Sequence, residues 1–98
     1  MNPPTPIPEL DLHGLGVKEA LVLTRRFLEQ SQEQGFLTVS VVYGKGKGSP
    51  GGEGVLRVMV PRVLETEWGD LVASFRRRVE PDGRDGGMEI DLRPGAGR

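Results

Sequence analysis

The chain has 98 residues, enough for one domain. Thirteen Lys and Arg stand against 14 Asp and Glu, a net charge of −1. That excludes a polycation gripping nucleic acid by its total charge, so any anion binding must come from a local patch. The absence of Cys excludes a disulfide framework, a Cys-based zinc site and a thiol nucleophile, and the single His excludes a multi-histidine metal centre. Gly and Pro make up 23 of the 98 residues, where ordinary usage gives roughly 12, so the location of the glycines becomes the first question.

Residues 1–8 hold four prolines and read as a flexible or polyproline-like arm, without the basic flank and apolar stretch of a secretory signal. Glu9–Leu12 alternates, with Leu10 and Leu12 on one face and Asp11 opposite, as a short strand does; His13-Gly14-Leu15-Gly16 breaks it. Val17–Gln34 is the clearest helix. Val17, Ala20, Leu21, Thr24, Phe27, Leu28 and Ser31 recur at three and four, and Gly35 is placed to end it. Phe36–Tyr43, rich in β-branched and aromatic residues, predicts a buried strand.

Gly44–Gly54 then gathers six of the 15 glycines. Val55–Glu67 carries Val55, Val58, Met59 and Val63 at near-helical spacing. Pro61 inside it predicts a kinked or split helix, since an interior proline removes a hydrogen bond and crowds the preceding turn. Trp68, just beyond, reads first as a packing residue at the helix end. Leu71–Arg77 alternates, with Leu71, Ala73 and Phe75 on one face. A turn-rich PDGRDGG segment (81–87) leads to Met88–Leu92, with Met88, Ile90 and Leu92 inward. Residues 94–98 form a tail. The expected fold is a two-layer α/β sandwich of βαβαββ order over residues 9–93. Its four-stranded sheet is mainly parallel, with an antiparallel last strand paired to the third.

The glycine-rich loop follows a strand and precedes a helix, the place where backbone N–H groups and a helix N-terminus meet anions. From Tyr43 to Arg62 there are four basic residues (Lys45, Lys47, Arg57, Arg62) and one acid, Glu53, a local charge of +3. Gly44, Lys45, Gly46, Lys47 and Gly48 are therefore candidate phosphate binders, with Arg57 and Arg62 tracking neighbouring phosphates; a long slack connection is the alternative. No register fits a Walker A loop. Gly46-x-Gly48-x-x-Gly51 matches a dinucleotide fingerprint, but after the second strand and without the second mononucleotide-binding half. At the end of the first strand, Asp11 and His13 would share an edge with this loop in a parallel sheet. His13 can exchange protons near neutral pH, and Asp11 could orient it or hold a divalent metal. In the alternative reading Asp11 caps the turn and His13 is a solvated loop residue. Arg76, Arg77, Arg78 and Arg84 could extend a backbone-binding surface or form a solvated edge; at most two of the three consecutive arginines share a face.

Leu10–Gly14 (LDLHG) resembles the opening signature of the Smr (small MutS-related) domain. Val17-Lys18-Glu19-Ala20 is similar to the family's next stretch, and Gly44-Lys45-Gly46 to its glycine loop after the second strand. Arg84-Asp85-Gly86-Gly87 resembles the ending of bacterial stand-alone members. The resemblance implies a fold like the C-terminal domain of translation initiation factor three. It also implies binding to DNA or RNA, and endonuclease activity that nicks DNA, branched DNA included, or cleaves RNA; some relatives act on ribosome-associated RNA. On this basis Asp11, His13 and Lys45 are the expected catalytic residues, with Mg²⁺ or Mn²⁺ on Asp11 as the candidate cofactor. A monomer in the cytoplasm, with no membrane segment, is expected. A non-catalytic module docking on structured nucleic acid or a ribosome through the same loop is the alternative. Where the family's loop signature starts with His or Thr, this chain has Tyr43. A two-histidine mechanism is then impossible, and Tyr43 is expected instead to stack on a base.

Overall fold

The computed structural model describes residues 7–43, 52–79 and 85–95. In chain order it forms β1 (Glu9–Asp11), α1 (Val17–Glu33), β2 (Thr38–Val42), α2 (Gly52–Thr66), β3 (Val72–Val79) and β4 (Asp85–Leu92). Of the glycine loop expected at Gly44–Gly54, residues 44–51 lie outside the described residues, as do residues 80–84, the proline-rich residues 1–6 and the tail from 96; Gly52–Gly54 instead begin α2, and Asp85–Gly87 of the expected turn belong to β4. Ile7 and Pro8, the end of the expected arm, are described, and Ser40 N–H donates to the Pro8 carbonyl at 2.8 Å. Pairing with β2 thus begins one residue before β1.

The strands form one sheet in the order β1-β2-β4-β3. β1 pairs with β2 in parallel, and β4 pairs antiparallel with both β2 and β3. The two-layer α/β class, the βαβαββ order and the antiparallel last strand are as expected, and three strands run one way. Because β4 inserts between β2 and β3, however, two of the three ladders are antiparallel. The hairpin folds β4 into the sheet interior because its alternating Met88, Ile90 and Leu92 are all apolar enough to be buried there.

One sheet face carries Leu12, Val39, Val41, Tyr43, Val72, Met88, Ile90 and Leu92. These pack with Ala20 and Leu28 of α1 and Leu56, Val60 and Leu64 of α2 into the hydrophobic core. Both helices therefore cover this face. The other face carries no helix and is polar over two rungs: Glu9, Ser40, Glu89 and Arg76 share one, and Thr38, Asp91 and Ser74 the next, while Val42, between Asp11 and Gly87, is buried on the third.

One local reading is narrowed and two need correction. α2 runs as one α-helix through Pro61, so of the kinked and split alternatives the split is excluded. Its buried stripe is Leu56, Val60, Val63 and Leu64, while Val55 and Val58 are exposed, so the apolar spacing pointed to a neighbouring face of the helix. In β3 a register shift between Val72 and Ser74 marks a bulge, which breaks the two-residue period. Val72 and Phe75, opposite Leu92 and Ile90, share the core side, and Ala73 is exposed. Trp68 packs against the core at the end of α2, as its position suggested.

The end of α1 follows its sequence closely. Gly35 sits at φ 91°, its N–H donates to Gln32 C=O at 3.1 Å, and Phe36 N–H donates to Ser31 C=O at 3.0 Å. This is the Schellman pattern, which uses a left-handed residue to satisfy the last carbonyls.

Candidate nucleic-acid interface

The turn after β1 explains the LDLHG sequence residue by residue. Leu12 is buried, and its N–H donates to Val42 C=O at 2.8 Å, holding the turn against the end of β2. Asp11 Oδ1 accepts a hydrogen bond from His13 N–H at 2.8 Å, an Asx turn. Leu15 N–H closes a four-residue turn on Leu12 C=O at 3.2 Å, with Gly14 at φ 79° in the third position, where a type II turn takes glycine. His13 is thereby placed at the tip of the turn, exposed. The two readings of Asp11 and His13 combine: Asp11 caps the turn, and that cap presents the imidazole at the sheet edge.

Tyr43 follows β2 at the same edge, its N–H donating to Gly86 C=O at 3.2 Å. Its ring is fully buried in the core, so the expected stacking on a base finds no exposed ring. The two-residue period carried the answer, since Val39, Val41 and Tyr43 fall on one face. The guanidinium carbon of Arg57 stands over that ring, 6.0 Å from its centroid. This contact was not foreseen from the sequence.

The structure thus brings Asp11, His13, Tyr43 and Arg57 to the edge where the segment 44–51 leaves β2 and re-enters at α2. Gly44, Lys45, Gly46, Lys47 and Gly48 lie outside the described residues. Both helices begin at this edge, so the positive ends of both helix dipoles are here. Arg62 is exposed, but it lies about 7.5 Å farther along α2 than Arg57 and roughly 140° round its axis, apart from the others. Among the described residues no three of His, Asp and Glu gather in a metal-binding group. A Mg²⁺ or Mn²⁺ held by them would rest on Asp11 and the substrate's own phosphate oxygens.

On the helix-free face Arg76 pairs with Glu89 at 2.7 Å and with Asp91 at 3.0 Å, and Arg78 pairs with Glu9 at 2.6 Å and donates to Ser40 Oγ at 2.9 Å. Hydrogen bonds from Ser74, Arg76 and Thr38 hold the Asp91 carboxyl below the usual carboxylate range. Arg77, in register with Met88, lies on the helix side. As expected, then, two of the three consecutive arginines share a face, and there both are matched by acids. Arg84 lies outside the described residues.

These features define a small two-layer α/β domain whose anion-favouring edge is built from strand ends and helix starts. Residues 10–93 match the Smr domain model, and the chain belongs to the Smr domain family. It is 29% identical over 85 residues to the endonuclease MutS2 of Acetivibrio thermocellus, covering 87% of this chain and 10% of that protein. The chain thus spans about a tenth of that relative's length. The Smr domain of Thermus thermophilus MutS2 superposes with a TM-score of 0.72 at 32% identity, covering 90% of this chain and all of that one. The SMR domain of NEDD4-binding protein 2 gives 0.64 at 31%, covering 97% and 95%. YdaL, a stand-alone small MutS-related protein from Escherichia coli, shares the fold, with a TM-score of 0.68 at 24% identity over 87% of this chain and 63% of that one. Among the described residues, no helix is long and apolar enough to cross a membrane.

Proposed function

We propose that this chain is a nucleic-acid-binding Smr domain that cuts phosphodiester bonds of DNA, branched DNA included, or of RNA. The observation that carries the reading is the Asp11-capped turn, which presents an exposed His13 beside the point where the glycine- and lysine-rich segment leaves β2. In this reading Gly44, Lys45 and Gly46 bind the scissile phosphate, and Lys47, Gly48 and Arg57 hold its neighbours. His13 takes a proton from water or a ribose hydroxyl. That oxygen then bonds to phosphorus as the bond to the leaving oxygen breaks, and the leaving oxygen takes its proton from solvent. Asp11 acts as a positioning residue, through the turn. The name of the Acetivibrio thermocellus relative, an endonuclease, supports the same class.

A second reading has one observation in its favour. Tyr43 is buried, so it cannot serve as a second proton-transfer group at the edge. In that reading the domain docks on structured nucleic acid or a ribosome without cutting it. Assaying plasmid, branched DNA and RNA side by side, with Mg²⁺ or Mn²⁺ and with EDTA, separates the two. Cutting by wild type that His13→Ala reduces by about 10²–10⁴-fold at unchanged binding supports the endonuclease. Binding without cutting under every condition supports the docking module. The EDTA arm decides the metal.

A further inference from the structure

We propose that Tyr43 acts through Arg57: its buried ring holds the Arg57 guanidinium at the strand-end edge as a fixed phosphate clamp. The inference rests on the reading of this edge as a nucleic-acid site and assigns Tyr43 a positioning role within it. Tyr43 is wholly buried one residue beyond β2, packed in the core with Leu12, Leu56 and Val60. Its surroundings fix the ring, and Leu12 belongs to the very turn that carries His13. Arg57 follows Leu56 on α2 and is itself half-buried, with its guanidinium carbon 6.0 Å from the ring centroid. That distance is within reach of a cation–π interaction.

Contact with a ring holds a guanidinium in place, and its N–H donors form a planar fork. That arrangement restricts the side chain and suits bidentate contact with phosphate oxygens. A lysine ammonium keeps the charge but has neither the plane nor the fork. The chain therefore uses its aromatic residue at the start of the glycine segment to orient a cation.

The test is binding of a fluorescent single-stranded DNA and of its RNA counterpart, measured between about 50 and 200 mM salt. Wild type is compared with Arg57→Ala, Arg57→Lys, Tyr43→Phe and Tyr43→Leu, and with Tyr43→Leu combined with Arg57→Ala. Arg57→Ala is expected to weaken binding about tenfold and to flatten the salt slope by about 0.7–0.9, one phosphate contact. Arg57→Lys should keep the slope and lose affinity; Tyr43→Phe should match wild type. Tyr43→Leu should weaken binding when Arg57 is present and change nothing further when it is absent. A second reading needs no core variant. In NMR spectra of the wild type, the Arg57 side-chain protons should be displaced by the Tyr43 ring current. Binding and slope unchanged in Arg57→Ala would overturn the clamp alone. Undisplaced Arg57 signals, or an equal loss from Tyr43→Leu in both backgrounds, would overturn the part assigned to Tyr43. Wild type that binds neither probe overturns the nucleic-acid reading itself, and the clamp with it.

Discussion

Two surfaces of this domain carry arginine and acid, in different settings. On the helix-free face of the sheet, Arg76 and Arg78 lie opposite Glu9, Glu89 and Asp91 at 2.6–3.0 Å, and Thr38, Ser40 and Ser74 complete the network. At the strand-end edge, the carboxylate of Asp11 accepts from a backbone N–H, His13 is exposed, and Arg57 stands over an aromatic ring. Cations matched by acids of their own sheet add little to the attraction felt by a phosphate, because each acid repels what its arginine attracts. Counting arginines along the sequence therefore misleads; what each one faces decides its use.

The largest expected effect falls where the two surfaces meet. Gly87 pairs with Val42 on one side and Arg78 on the other, and a Cβ there would lie 2.1 Å from the Val41 carbonyl oxygen and 2.8 Å from the Val42 Cα. Both contacts are with backbone, which cannot swing aside. Gly87→Ala should cost about 3 kcal/mol or more and lower the Tm by more than about 10 °C, disturbing face and edge together. An ordinary melting curve would show that the two surfaces do not depend on this close approach.

Next in size is the paired charge test. Lys45→Ala with Lys47→Ala should flatten the salt dependence of binding by up to about two units of slope, roughly one per phosphate contact. Arg76→Ala with Arg78→Ala should leave the slope unchanged and move the Tm by only a few degrees, since exposed ion pairs contribute little. Equal slopes lost from both pairs would erase the distinction between edge and face.

The smallest effect is on pH dependence. The folded protein holds the Asp91 carboxyl below its ordinary range, so the unfolded chain binds that proton first as pH falls. The stabilisation is fully present above the ordinary carboxylate pKa of about 3.9 and is lost as pH falls through the lower folded value. The Tm difference between wild type and Asp91→Asn should therefore shrink on acidification below about pH 4–5. A constant difference would mean that Asp91 does not couple to this network.

Much of the fold was legible because it rests on local signals. Gly35 at the end of α1, the α1 stripe from Ala20 to Ser31, and the alternation of Met88, Ile90 and Leu92 all lie where the sequence placed them. The errors came from long-range packing. The bulge at Ala73, the insertion of β4 between β2 and β3, and the choice of Leu56 and Val60 over Val55 and Val58 depend on partners distant in the chain. At the edge, Asp11 and His13 were legible as a pair, but the carboxylate's bond to the backbone was one of two readings. Tyr43 falls both at the end of the expected strand Phe36–Tyr43 and at the start of the loop signature; the strand reading, with Val39 and Val41 on the same face, assigns it to the core, and the stacking role drawn from the loop reading does not survive.

The central claim, that nucleic acid meets the strand-end edge and leaves the helix-free face alone, is tested most directly by titrating the ¹⁵N-labelled protein with a short single-stranded oligonucleotide. Amide shifts should move at Asp11–Gly14, at Tyr43 and around Arg57, and stay fixed at Ser74–Arg76 and Glu89–Asp91. Shifts centred on the Arg76, Glu89 and Asp91 rung, with His13 and Arg57 unmoved, would contradict the account.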